Sequence, residues 1–535
     1  MKLTRDGLTD CGLWEGFELP RFDVAKMAER TKQAPGWLHF GAGNIFRAFP
    51  AALQQELLNA GLTDTGVAVC ECFDEEIIPF CYAPHDNLSI LATLNADGSI
   101  SKKVIASVAE AFNADAPRGR ERLDEIFTSP SLQFVTYTIT EKAYAVAGAD
   151  GRPLPHAADD INSKPDEART VIGITARGLL ARHKKQAGPL ALVSLDNCSD
   201  NGEKLKQAVK YIVDGWRANG FSPVGFDVLA SECRLSFPVT TIDKITPRPS
   251  EEVAEKLTAF GCEKLNITQT KKNTFVSSFV NAEACQYLFV EDDFPNGRPP
   301  LERAGVFFTN RETIKKFERM KVGVCLNPLH TILAVTGRLL GYRTIADAMG
   351  DKRLVKFIKR AAAEELLPVV EPPGVIEPEE FLREVLEERF PNPYIPDTPA
   401  RIACDTSQKI PVRFGEAVRE WAKRGKTGVL ELIPLFAALW LRYLLGIGDG
   451  GEPIEPSPDP RLDELQKKLA GVEFGRSACA DSIMQILSPI LSDETIFCVD
   501  LTRDADGFAI KTRDAFVKLI SGPGAVTKTL DDYFG

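Results

Sequence analysis

Residues 37–49 read WLHFGAGNIFRAF, and few stretches of this length limit a fold so sharply. An apolar run ends on Gly41-Ala42-Gly43, and residues 48–59 then carry apolar side chains at helical spacing up to Gly61. Residues 66–73, GVAVCECF, form a short strand-like run that closes on Asp74. The order is strand, glycine turn, helix, strand, acid, which is what a mononucleotide-binding half of a doubly wound α/β sheet requires. In such a turn the first glycine permits a sharp strand-to-helix reversal. The second lets the backbone approach a pyrophosphate, which rests on the helix N-terminus.

Phe46 stands where G-x-G-x-x-G would place its third glycine. That glycine serves helix-to-sheet packing, so Phe46 changes how the helix lies on the sheet and leaves the phosphate site in place. Gly41, Gly43, Asn44, Ile45, Phe46 and Arg47 are the expected cofactor-binding stretch. Arg47 either reaches the pyrophosphate or lies as a solvated charge on the helix. Asp74 is placed to accept hydrogen bonds from an adenosine ribose and to repel a 2′-phosphate, which favours NAD over NADP. Its other reading is a helix N-cap ahead of Glu75 and Glu76. Glu71, inside the strand, is the lesser candidate.

Further strand-like runs at 90–94, 103–107, 132–139 and 189–195, with a helical pattern over 166–183, extend the α/β alternation. From Glu302 onward amphipathic helical patterns take over, at 354–366, 378–388, 413–424, 430–445 and 461–469. PNGRPP at 295–300 is the expected boundary. The chain is therefore expected to be α/β: a Rossmann-like doubly wound sheet over 1–295 and a mostly α-helical domain over 296–535, with the active site in the cleft between them. Two domains also suit 535 residues.

A net charge of −11 argues against a nucleic-acid partner, since phosphate neutralisation needs clustered basic surface. The most apolar window, 429–445, holds Glu431, Pro434 and Arg442, so it is expected to be a buried helix rather than a membrane span. The 12 cysteines are scattered with no metal-ligand spacing, and Cys70 and Cys72 are expected to pack on one strand face. No apolar leader precedes residue 10, which leads us to expect free thiols in a reducing cytoplasm.

The segment ERMKVGVCLNPLHTILAVTGRLLGY, from Glu318, is the most informative of all. Asn327 and His330 are three apart and share a helix face. Asn327 suits an N-cap and Pro328 a first helical position, so an Asn-capped helix with a half-buried histidine is one reading. Lys321 adds a second. A lysine near an Asn and a His in an apolar stretch is a candidate base, and burial can lower its pKa toward that task.

This segment resembles the catalytic segment of the polyol-specific long-chain dehydrogenases, the family of mannitol 2-dehydrogenase, fructuronate reductase and tagaturonate reductase. Other blocks resemble the same family in the same order: FGAGNIFRAF, YTITEKAY at 137–144, SLDNCSDNG at 194–202, SFPVTTIDKITP at 236–247, DDFPNGRPP at 292–300, and ERFPNPYIPDTPARIACDTSQKIP at 388–411. The resemblance implies a metal-independent hydride transfer with NAD. It makes Lys321 the acid/base, Asn197 and Asn327 the donors to the reacting oxygen, His330 the ligand of a neighbouring hydroxyl and Glu318 a proton relay. It places Thr140 at the cofactor, and Asp243, Arg401 and Lys409 at the substrate.

The sequence departs from the family in two places. Phe46-Arg47-Ala48-Phe49 stands where relatives often have a histidine-containing run. Lys321 and Asn327 are six residues apart where familiar members have five. One extra residue turns a regular helix by about 100°, so the groups converge only if a bulge or break intervenes, and Asn327-Pro328 offers one.

The expected partner is a small sugar acid or polyol. Arg401 and Lys409, with Lys244 and Arg413 as further cations, favour a hexuronate such as fructuronate, reduced to mannonate. Mannitol with fructose, or tagaturonate, are the alternatives within the family. An NAD-binding sensor without catalysis is the alternative outside it, and it would need neither Lys321 nor Asn197. A zinc enzyme is disfavoured because no ligand set is visible. Oligomeric state is not set by the sequence.

Overall fold

Six short strands carry the first half of the chain in this computed structural model, which describes residues 1–535 except 264, 478 and 504–506. They are β1 (Trp37–Phe40), β2 (Val67–Glu71), β3 (Val108–Asn113), β4 (Phe134–Tyr137), β5 (Leu190–Ser194) and β6 (Leu235–Ser236). All pair in parallel, and their spatial order is β3-β2-β1-β4-β5-β6. This is the Rossmann order, with its switch point between β1 and β4. β1, β2, β4 and β5 are buried at every position, as strands covered by helices on both faces must be. A two-stranded ribbon, Thr268–Gln269 with Phe275–Val276, and two three-stranded sheets accompany this sheet among the described residues. Ser89–Leu94 pairs with Ile100–Ile105 and Phe279–Glu283, and Tyr287–Glu291 pairs with Thr240–Asp243 and Phe307–Thr309.

The chain divides into two units, Met1–Asn95 with Ser99–Ile314, and Lys315–Gly535 with Ala96–Gly98. The division falls inside the helix Arg311–Met320, beyond the proline cluster at 295–300. Residues 296–314 stay with the first unit because Phe307–Thr309 adds a strand to one of its sheets.

In the second unit every described regular element of length is helical. Its most buried element is Leu432–Leu444, all of whose side chains are shielded from water. Two charged groups make that burial tolerable. The Glu365 carboxylate accepts from the backbone N–H of Glu431, Leu432 and Ile433 at 2.6–2.7 Å, capping the helix start. Arg442 donates to the carbonyls of Leu519, Ile447 and Gly448. The segment Arg311–Leu340 is long and apolar enough to cross a membrane by composition, but 72% of that apolar window is buried inside the protein.

Candidate active site

β1 ends at Phe40, and Gly41 follows with φ +105°. A Cβ there would stand 2.4 Å from the Thr138 carbonyl oxygen, so only glycine fits both the dihedral and the space. Gly43 precedes the short helix α1 (Asn44–Ala48), and beyond Gly43 itself and its two chain neighbours no atom lies within 4 Å of where its Cβ would be. The turn is closed behind Gly41 and open beside Gly43, which is the shape a dinucleotide phosphate needs.

Phe46 is fully buried and stacks on His39 of β1, ring centroids 4.1 Å apart. The helix therefore rests on an aromatic layer instead of a close glycine contact. His39 holds Thr136 Oγ1 at 2.6 Å and Thr138 Oγ1 at 3.0 Å, and burial pushes its pKa down to about 3. Arg47 is 1% exposed, so it is no surface charge; it donates to Ser277 O and Asn44 Oδ1.

The two acids at the end of β2 differ in what they hold. Glu71 accepts from the N–H groups of Ala42, Cys72, Phe73 and Asp74 at 2.8–3.1 Å, tying the glycine turn to the β2 terminus. Asp74 is buried and accepts from the Thr270 hydroxyl at 2.6 Å.

Across the switch point, Asp196 joins the loops after β4 and β5. Its carboxylate accepts from Ile139 N, Thr140 N and Tyr144 Oη, which brings Thr140 next to the segment bearing Asn197. Thr140 takes a φ of +70°, and both Thr140 and Asn197 are exposed. Asp243 ends Thr240–Asp243 and is buried.

In the second unit, Lys321 is 5% exposed and begins a π-helical turn, Lys321–Cys325. Leu326 N donates to Lys321 O across five residues at 3.1 Å, and α2 (Asn327–Leu340) begins immediately, with Pro328 in its first turn. The wider turn absorbs one residue. A helix thus continues through the six-residue spacing without being regular across it. Glu318 lies on Arg311–Met320, one turn before Lys321.

His330 projects from α2 into a cationic neighbourhood. Burial, then Arg413, Arg401, Arg389 and Lys409, push its pKa down to about 3, so the ring is neutral near pH 7. Its Nε2 is buried without a hydrogen-bond partner, although Asp397 Oδ2 lies 3.3 Å away. Asp397 is in turn paired with Arg401. The structure thus gathers His330, Arg401 and Lys409, which are up to 79 residues apart in sequence (409 minus 330).

Arg389 and Asp397 are additions that the sequence reading did not name. The four-residue spacing from Asp397 to Arg401 on a short helical approach is the one signal that could have found the second. Two of the cations sit in π-helical turns of their own, Val385–Arg389 and Pro411–Gly415. Among the described residues, no group of three or more His, Cys, Asp or Glu is arranged to hold a metal ion.

Comparison with known proteins gives the family. A family model described as the mannitol dehydrogenase Rossmann domain matches residues 35–303, and one described as the mannitol dehydrogenase C-terminal domain matches 313–506. The chain belongs to the mannitol dehydrogenase family. Within this family it is 46% identical to the D-mannonate oxidoreductase of Thermotoga maritima, covering 100% of this chain and 99% of that protein. Among solved structures, the mannitol 2-dehydrogenase of Pseudomonas fluorescens, in a ternary complex with NAD and D-mannitol, aligns with a TM-score of 0.66 at 25% identity. It covers 100% of this chain and 99% of that one. A substrate-free D-sorbitol dehydrogenase shares the fold with a TM-score of 0.78 at 24% identity, both chains being covered in full.

Proposed function

We propose that this member of the mannitol dehydrogenase family is a metal-independent, NAD-dependent oxidoreductase that interconverts D-fructuronate and D-mannonate. Full-length identity of 46% to a D-mannonate oxidoreductase carries the substrate assignment. The cationic surroundings of His330 support it, because a sugar acid brings a carboxylate and a polyol does not.

When bound, a nicotinamide dinucleotide would supply the hydride-transfer chemistry. Gly41, Gly43 and the residues of α1 would hold the dinucleotide. Glu71 keeps the turn in shape, and with Asp74 it places negative charge where a 2′-phosphate would be unwelcome. Lys321 gives a proton to the ketone oxygen in reduction and takes it back in oxidation, with Glu318 as relay. Asn197 and Asn327 donate hydrogen bonds to that oxygen as it gains charge. His330, uncharged, offers Nε2 to the neighbouring hydroxyl. Thr140 contacts the cofactor, while Asp243, Arg401 and Lys409 face the substrate. The enzyme is expected to work in the cytoplasm.

The test is NADH oxidation followed by absorbance with fructuronate, fructose and tagaturonate, each repeated with NADPH. Fructuronate with NADH should give the highest kcat/KM. Higher efficiency with fructose or tagaturonate would replace the substrate assignment, and NADH binding without turnover of any ketone would favour a sensor.

A further inference from the structure

Arg413 combines two features that a purely structural arginine would not need. It lies in the π-helical turn Pro411–Gly415, four residues after Lys409, and its Nη1 donates to Thr331 Oγ1, the residue next to His330. The remaining N–H groups of its fork have no hydrogen-bond partner among the described residues. Burial holds its pKa down to about 10, and no acid offsets that burial.

Its neighbours do not supply the missing negative charge. Arg401 is already paired with Asp397. Lys409 donates to the Ile402 carbonyl at 3.3 Å and is itself held below its ordinary pKa by burial and by Arg413 and Arg401, which outweigh Asp405. Unrelieved repulsion among partly buried cations is relieved by an anion arriving from outside. Of these groups, Arg413 has the free planar fork that matches a carboxylate with two parallel bonds; a lysine offers a point charge.

We propose that Arg413 fixes the carboxylate of the substrate and so sets the preference for a sugar acid over the neutral ketose of the same chain length. This rests on the functional reading above, in which Arg401 and Lys409 are the cations that face the substrate and Arg413 has no assigned role.

The test compares wild type with Arg413→Gln on fructuronate and on fructose. The ratio of the two kcat/KM values should fall roughly 10- to 100-fold, mainly through KM for fructuronate, as expected for a lost charge-assisted hydrogen bond. Thr331→Val removes the hydroxyl anchor but keeps the charge, and should leave that ratio within about threefold. In parallel, mannonate should raise the melting temperature of wild type and lose that effect in Arg413→Gln, whereas the mannitol effect should persist. If wild type reduces fructuronate but Arg413→Gln leaves the ratio unchanged, the Arg413 role is overturned and the fructuronate reading stands. If wild type prefers a different ketone, the fructuronate reading fails, and equal mannonate shifts in the two proteins would then overturn Arg413 as a carboxylate anchor.

Discussion

Phe46 lies flat on the imidazole of His39, centroids 4.1 Å apart and planes 19° from parallel, at the position where a dinucleotide signature would carry its third glycine. Both residues are fully buried. The helix after the glycine turn is thus seated on an aromatic pair. Phe46→Gly, which would restore the usual signature, should destabilise the protein by about 3–5 kcal/mol, the range for deleting a buried aromatic side chain. Urea unfolding of the two proteins measures this, and an unchanged midpoint would show that the stack is dispensable.

The same imidazole predicts a pH dependence. His39 has a folded-state pKa of about 3, below the unfolded value of 6.5. The unfolded chain therefore binds the extra proton between those values. The stability contributed by neutral His39 is complete above about pH 6.5 and is lost toward pH 3, at roughly 1.4 kcal/mol per pH unit. His39→Gln should be less stable at pH 7 yet lose less stability than wild type between pH 7 and 4.5. Parallel pH profiles for the two proteins would contradict this.

Gly41→Ala tests the turn itself. The added methyl meets the Thr138 carbonyl oxygen at 2.4 Å in a left-handed backbone, so strain of about 1–3 kcal/mol is expected. Relief by backbone movement would displace the phosphate site. NADH titration by fluorescence should show affinity reduced at least about tenfold, equivalent to about 1.4 kcal/mol, whereas Gly61→Ala, outside the turn, should leave NADH affinity unaltered.

Lys321→Ala should lower kcat with fructuronate by roughly 100- to 10,000-fold, the usual contribution of a general acid/base. NADH affinity should be spared. Equal rates in variant and wild type would remove Lys321 from the proposed role.

Much of this fold is legible locally. The strand, glycine and helix order around residues 37–74 foretells a Rossmann-like sheet because each sign is carried by turn sterics or by a side-chain period of two or 3.6 residues. The helical second half is legible for the same reason. The break expected near Lys321 is a π-helical turn at 321–325, one step earlier than Asn327-Pro328, since sequence spacing reveals an extra residue but not where the backbone absorbs it.

What the sequence by itself determined was therefore the class of its most strongly patterned elements, the glycine turn and a set of candidate side chains. Tertiary structure decided what those side chains meet. Glu71 and Asp74 are three residues apart and equally acidic, yet one binds the glycine turn and the other Thr270, a residue 196 positions away. Arg413 reaches the residue beside His330 across 82 positions. Such partnerships depend on which helices and strands pack together, and packing is settled by the whole buried surface rather than by any local pattern.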